Sequence, residues 1–184
     1  MNSRKISTID ILPVLKYGNP LLRQKVRDVT NFFELNHFIE QMFLTMYNEG
    51  GIGLAANQVG RCINLLVIDN RNIDDDNGKT YVFINSKVIK CKGSVSMEEG
   101  CLSIPDIRAE IERPEVITLQ FQDLEQNIHQ KSFSGMTSRI IQHELDHLEG
   151  KLFVDYLSSS KRMLIHKRLL EITKNGKPSS EIIL

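Results

Sequence analysis

Residues 142–150 read Gln-His-Glu-Leu-Asp-His-Leu-Glu-Gly, and the five residues His143-Glu144-Leu145-Asp146-His147 decide how the rest of the chain is to be understood. On a helix, side chains four apart lie on one face, so His143 and His147 can close on one metal ion while Glu144 projects beside it. This layout suits hydrolysis, in which a metal ion acidifies a water and a neighbouring carboxylate takes its proton. The alternative is a polar helix face carrying two histidines and a solvated Glu144. The surrounding pattern disfavours it. At the helical angle Met136, Ile140, His143 and His147 share one side, while Ile141, Leu145 and Leu148 occupy another, and a helix apolar on several faces is buried. Buried histidines need partners, and one metal ion can serve both.

A hydrolytic metal centre takes three protein ligands and keeps one position open, so a third ligand is required. Residues 98–105 read Glu-Glu-Gly-Cys-Leu-Ser-Ile-Pro, and the thiolate of Cys101, set between a glycine and a turn-prone stretch, would complete a set of one cysteine and two histidines. Cys62 opens an apolar run and Cys91 lies between two lysines, so packing or simple exposure accounts for those two. Residues 50–60, Gly-Gly-Ile-Gly-Leu-Ala-Ala-Asn-Gln-Val-Gly, let backbone approach backbone or ligand closely. Taken alone they also read as a glycine-rich turn between a helix and a strand. Phosphate binding is disfavoured, because the run lacks the Lys-Ser/Thr ending of a P-loop and follows a helix.

Apolar residues at three-four spacing predict a helix over Phe32–Glu49, and alternation predicts strands at Cys62–Asp69, Thr80–Lys90 and Val116–Asp123. Asp123–Asn127 should turn the chain into a further strand, Ile128–Phe133. Asp74–Gly78 reads as a solvated turn, since the spacing and closing glutamate of a calcium loop are missing. Gly150 is placed to end the metal helix with a left-handed cap. After Leu157, Ser158–Ser160 should start a last helix reaching about Lys174. The expected fold class is α+β: antiparallel sheets packed around a buried central helix that carries the metal motif, with a C-terminal helix. At 184 residues the chain suits one domain, residues 1–184, and no repeat or linker divides it.

Three segments in this order, Gly51-Ile-Gly-Leu-Ala-Ala-Asn-Gln58, Glu99-Gly-Cys-Leu-Ser103 and Gln142-His-Glu-Leu-Asp-His147, closely resemble the motifs of the peptide deformylases. Tyr17-Gly-Asn-Pro-Leu-Leu-Arg23 and Arg108 match two further family features, so the resemblance spans nearly the whole chain. It implies removal of the formyl group from the N-formyl-methionine that begins new bacterial and organellar polypeptides. Cys101, His143 and His147 would hold a divalent metal, and Glu144 would be the general base. Gln58 and the backbone N–H of Leu102 would, by the resemblance, donate to the oxyanion on the formyl oxygen. The resemblance points to Fe2+; a thiolate donor favours iron or zinc, and Zn2+, Ni2+ or Co2+ can fill such a site after purification.

Ile52-Gly53 on one side and Glu99-Gly100 on the other would let the substrate lie between them as an added strand. Ile52 and Ile140 are plausible walls of a methionine pocket beside His143, Arg108 is a further substrate contact, and Arg139 is either a substrate contact or a structural ion-pair member. Two other readings stay open. An ordinary His-Glu-x-x-His peptidase would seek a third ligand after His147, where only His166 is available, and a structural zinc protein would need a fourth protein ligand.

Twenty-three basic and twenty-three acidic residues leave no net field to attract nucleic acid, so DNA is not an expected partner. Three cysteines, the lack of a membrane-length apolar run and a start without an apolar signal region favour the bacterial cytoplasm and no membrane. The last helix is unevenly basic, with Lys161, Arg162, Lys167, Arg168, Lys174 and Lys177 against Glu171 and Glu181. It is either a solvated face or a surface that docks on ribosomal RNA.

Overall fold

A computed structural model describes residues 10–71, 73 and 78–176, and the backbone of 182–183. The elements run α1 (Leu35–Asn48), β1 (Gly53–Ala55), β2 (Leu65–Asp69), β3 (Thr80–Lys92), β4 (Val95–Cys101), β5 (Ile104–Arg113), β6 (Val116–Gln122), β7 (Ile128–Phe133), α2 (Gly135–Leu148), α3 (Ser159–Asn175) and β8 (Ile182–Ile183). Helix α1 starts three residues later than its periodicity predicts, because Asn31 Oδ1 accepts the N–H of Phe33 (3.0 Å) and holds the approach in a turn. Strand β2 also starts late, since Ile63 bridges to Arg27 and the N–H of Asn64 donates to the Arg27 carbonyl at 2.8 Å. Most of the acidic run at Asp74–Gly78 lies outside the described residues.

Two sheets form. The first has the order β1-β2-β3-β6-β7 with every neighbour antiparallel, and the second has the order β4-β5-β8. The expectation of purely antiparallel sheets needs one correction: β8 runs parallel to β5, pairing Ile182 with Ile107 and Ile183 with Arg108. Strands β1 and β4 are each at the edge of their sheet, and β1 is only three residues long.

Helix α2 lies between the sheets and meets them by different chemistry. Ile140, Ile141 and Leu148 pack with Ala55, Leu66, Ile68, Phe83 and Ile117 of the first sheet, each isoleucine, leucine and phenylalanine contributing about 1.5–3 kcal/mol by burial. On the other side the contacts are polar. Arg139 donates to the carbonyls of Ile111 (2.8 Å) and Val95 (2.6 Å), and Gln142 donates to that of Pro114 (2.9 Å). Those carbonyls belong to β4, β5 and the residue just after β5, so the second sheet is clamped to α2. Helix α3 closes its outer side with Ile165, Leu169 and Ile172. No described helix is long and apolar enough to cross a membrane.

The end of α2 is fixed by the cap the sequence predicts. Gly150 sits at φ 73°, its N–H donates to the His147 carbonyl (3.0 Å), and the N–H of Lys151 donates to that of Asp146 (2.8 Å). A Cβ at Gly150 would lie 2.6 Å from the Arg23 carbonyl oxygen. Gly150→Ala therefore combines a left-handed alanine with a backbone clash, and urea unfolding should show a loss of roughly 2–4 kcal/mol; a loss below about 0.5 kcal/mol would mean the cap is not under this constraint.

Candidate metal centre

Strands β4 and β5 form a hairpin in which Cys101 pairs with Ile104 across the two residues Leu102 and Ser103. Immediately before, Gly100 pairs with Arg108, so Pro105–Ile107 bulge out and Asp106 takes φ 58°. The alternation of a strand then turns Met97, Glu99 and Cys101 to the same inner side. Lys16 Nζ donates to the Leu102 carbonyl at 2.9 Å and steadies the turn from outside.

Facing this hairpin, α2 presents His143 and His147. The donor atoms of Cys101, His143 and His147 all lie within 4.8 Å of one another, with Cys101 Sγ 3.1 Å from His147 Nε2. His143 Nδ1 donates to Glu99 Oε2 at 2.8 Å, which orients the ring and leaves Nε2 for the cluster. Glu99 is buried and gathers three more donors. Arg113 reaches it with Nε (2.6 Å) and Nη2 (2.9 Å), and Arg139 with Nη1 (2.8 Å). Arg113 Nη1 continues to Asp146 Oδ2 (2.6 Å), whose other oxygen accepts from the Tyr156 hydroxyl at 3.0 Å. Two guanidiniums thus balance two carboxylates, and of the two roles open to Arg139 the structure supports the ion pair.

Burial opposes ionisation of Glu99, yet its bonds to His143 and Arg113 outweigh it and hold the carboxyl well below its usual range. Burial likewise opposes the Cys101 thiolate, and the two imidazoles overcome it, so the thiol sits well below its ordinary value. Burial also opposes the His143 cation, and the Cys101 thiolate and Glu99 outweigh it, so the imidazole is held well above its usual value. A metal ion held by these residues would have to displace that proton. Unlike the Glu99 carboxyl and the Cys101 thiol, the Glu144 carboxyl is raised, chiefly by burial.

These residues fit a transition-metal ion. One soft thiolate and two imidazoles converge, a carboxylate orients one ring from behind, and Glu144 Oε2 and His147 Nδ1 are buried with no hydrogen-bond partner among the described residues. Gly53 lies beside them: a Cβ there would fall 2.6 Å from Glu144 Oε1 and 2.7 Å from Ile140 Cγ2, so only glycine admits this approach. A Cβ at Gly51 would fall 2.7 Å from Leu102 Cδ1. Gln58 is held by its Oε1, which accepts the Ala55 N–H (2.8 Å), and its Nε2 points to Ser103 Oγ (3.2 Å) and Cys101 Sγ (3.7 Å).

The sequence-derived residues Cys101, His143, His147, Glu144, Gln58, Leu102, Gly53 and Ile140 thus come together. Ile52 stands at the rim, 44% exposed, and Arg108 lies on the solvent side of β5 opposite Gly100, 3.4 Å from Glu98. Sequence reasoning missed Arg113, Asp146 and Ser103 and gave Glu99 no role as the orienting carboxylate. The position of Glu99, two residues before Cys101, was the available signal for a shared face.

The sequence model of the polypeptide deformylase family matches residues 11–163. The chain belongs to the polypeptide deformylase family. A peptide deformylase of Flavobacterium johnsoniae is 41% identical over 93% of this chain and 93% of its own length. Among solved structures, the peptide deformylase of Thermus thermophilus superposes with a TM-score of 0.83 at 34% identity, covering 90% of this chain and 99% of that one. That of Legionella pneumophila gives 0.81 at 35% identity, covering 90% and 96%. As a deformylase the chain is a metal-dependent hydrolase, and it removes the N-formyl group from newly synthesised polypeptides. In this deformylase, Glu99→Gln would leave Arg113 and Arg139 buried beside a neutral amide, and thermal or urea unfolding should register a loss of about 3–5 kcal/mol; unchanged stability would show that the arginines find their compensation elsewhere.

Proposed function

We propose that Cys101, His143 and His147 hold one divalent ion and that Glu144 is the general base in deformylation of N-formyl-methionyl peptides, residues 1–184 acting as one catalytic domain. The carrying observation is the cluster of three donors beside a buried Glu144 with an unpartnered carboxylate oxygen. When bound, the ion acidifies water and polarises the formyl group. Glu144 takes the proton of the attacking water and later returns it to the departing amine, a role suited to a carboxyl whose proton affinity burial has increased. Gln58 Nε2 and the Leu102 N–H donate to the oxygen on which charge develops. The anchoring of Gln58 Oε1 to the Ala55 N–H supports this, because it leaves the donor end directed at the site.

The substrate lies extended between the free edges of β1 and β4, using main-chain hydrogen bonds that are indifferent to sequence. Ile52 and Ile140 flank the methionine side chain, Gly53 and Gly100 give the backbone room, and Arg108 contacts the peptide farther along. A formyl carbon carries only hydrogen, so a tight site rejects larger acyl groups by sterics. The thiolate suits ferrous iron as the resident metal in a bacterial cytoplasm, at the cost of sensitivity to oxidants. The peptidase reading is weakened because His166 is exposed on α3 and outside the cluster, and a closed structural zinc site because the cluster among the described residues has three members.

Formate release from a formyl-Met tripeptide by anaerobically iron-loaded protein tests this reading, with the acetyl-Met analogue as control. Rapid release from the formyl peptide alone is expected, Glu144→Gln should lower it by about 10²–10⁴ with metal retained, and chelation should abolish it until Fe2+ is restored. Full activity in Glu144→Gln would sink the assignment of the base. The basic residues of α3 further support ribosome contact: Lys167→Glu with Lys174→Glu should reduce co-sedimentation with ribosomes at low salt, and undiminished co-sedimentation would leave α3 a solvated face.

A further inference from the structure

The 3-10 turn Ala56–Val59 carries Gln58 between two walls of the site. Side chains one apart on such a turn point about 120° from each other, and the two neighbours Asn57 and Gln58 do reach opposite walls. Gln58 turns to Ser103 and Cys101 of the hairpin. Asn57, at 0% exposure, turns to the metal helix, and its Nδ2 donates to the backbone carbonyl of His147 at 2.5 Å. The same carbonyl accepts the Gly150 N–H of the helix cap, so the amide joins the turn to the last, capped coil of α2.

We propose that Asn57 is a positioning residue that fixes the Gln58 amide relative to His147 and so aims the oxyanion donor. The inference rests on the role proposed above for Gln58. Two observations favour it over a merely structural asparagine. Asn57 Oδ1 is buried and accepts no hydrogen bond from the described residues, a costly arrangement that an apolar residue would avoid. The turn's other holds face away from α2: the Leu15 N–H donates to the Gln58 carbonyl at 2.8 Å, Gln58 itself bonds the Ala55 N–H and Ser103, and Ala56 and Val59 pack in the cluster around α1, so none of them sets a direction toward His147. A hydrogen bond to the main chain of the ligand residue does set one, and sub-ångström aim is what an oxyanion donor requires.

The test is a double-mutant cycle on the zinc-loaded full chain with a formyl-Met tripeptide, using Asn57→Ala, Gln58→Ala and the pair, with zinc affinity measured by chelator competition. Asn57→Ala should lower kcat about tenfold with KM and zinc affinity changed less than about twofold. In the absence of Gln58 there is nothing left to aim, so the pair should be no more than about twofold slower than Gln58→Ala alone. Should the alanine variant fail to fold, Asn57→Asp keeps the shape without the donor and takes its place in the cycle. Additive effects, an unchanged kcat in Asn57→Ala, or a loss of zinc affinity that parallels kcat would each overturn the inference. A fully active Gln58→Ala would instead overturn the role of Gln58, and this inference with it, whereas an impaired Gln58→Ala with additive effects removes only the part assigned to Asn57.

Discussion

A carboxylate can stay charged in a protein interior only when matched donors replace the water it has lost, a loss worth several kcal/mol per ion. Glu99 meets that condition with three residues from two separate elements: Arg113 at the end of β5, Arg139 on α2 and His143 one turn farther along α2. Each donor also has a second obligation. Arg113 holds Asp146, Arg139 holds the carbonyls of Ile111 and Val95, and His143 offers its other nitrogen to the metal cluster. Shifting the hairpin, the strand or the helix would leave a charge unpaired, so the mutual placement of Cys101 and the two histidines follows from satisfying one buried anion.

The same logic explains why apolar packing and polar clamping sit on opposite sides of α2. The first sheet receives isoleucine and leucine side chains, which pack tightly but tolerate some sliding. The second sheet is held by directional bonds from Arg139 and Gln142, and it is the sheet that brings Cys101. Directional contacts are thus concentrated where register with the histidines matters. The close approach at Gly53, where a methyl group would collide with Glu144, extends this to the first sheet's edge strand.

How much of this could be seen beforehand varies with the physical signal. Strand β7, the start of α3 and the cap at Gly150 were legible because period and turn chemistry are local properties. The convergence of His143 and His147 was legible because residues four apart share one face of a helix. Strands β4 and β5 escaped notice: β4 carries glycine and two adjacent glutamates, while in β5 a bulge at Pro105–Ile107 interrupts the alternation and an arginine occupies the inward position at its end. The partnership of Glu99 with Arg113 depends on hairpin register rather than on any pattern along the chain, and that of Asn57 with His147 spans 90 positions. Neither leaves a trace in composition or periodicity.

The two free strand edges set a limit of a different kind. A cleft that holds its guest by completing a strand, as proposed here, has room for a single unpaired chain end with its amide groups still uncommitted. Once that end joins a helix or sheet of its own, its hydrogen-bonding groups are spent and the cleft can no longer compete for them. Selection among guests would then be a matter of timing more than of residue identity: the reaction must be finished during the interval between a chain's emergence and its folding.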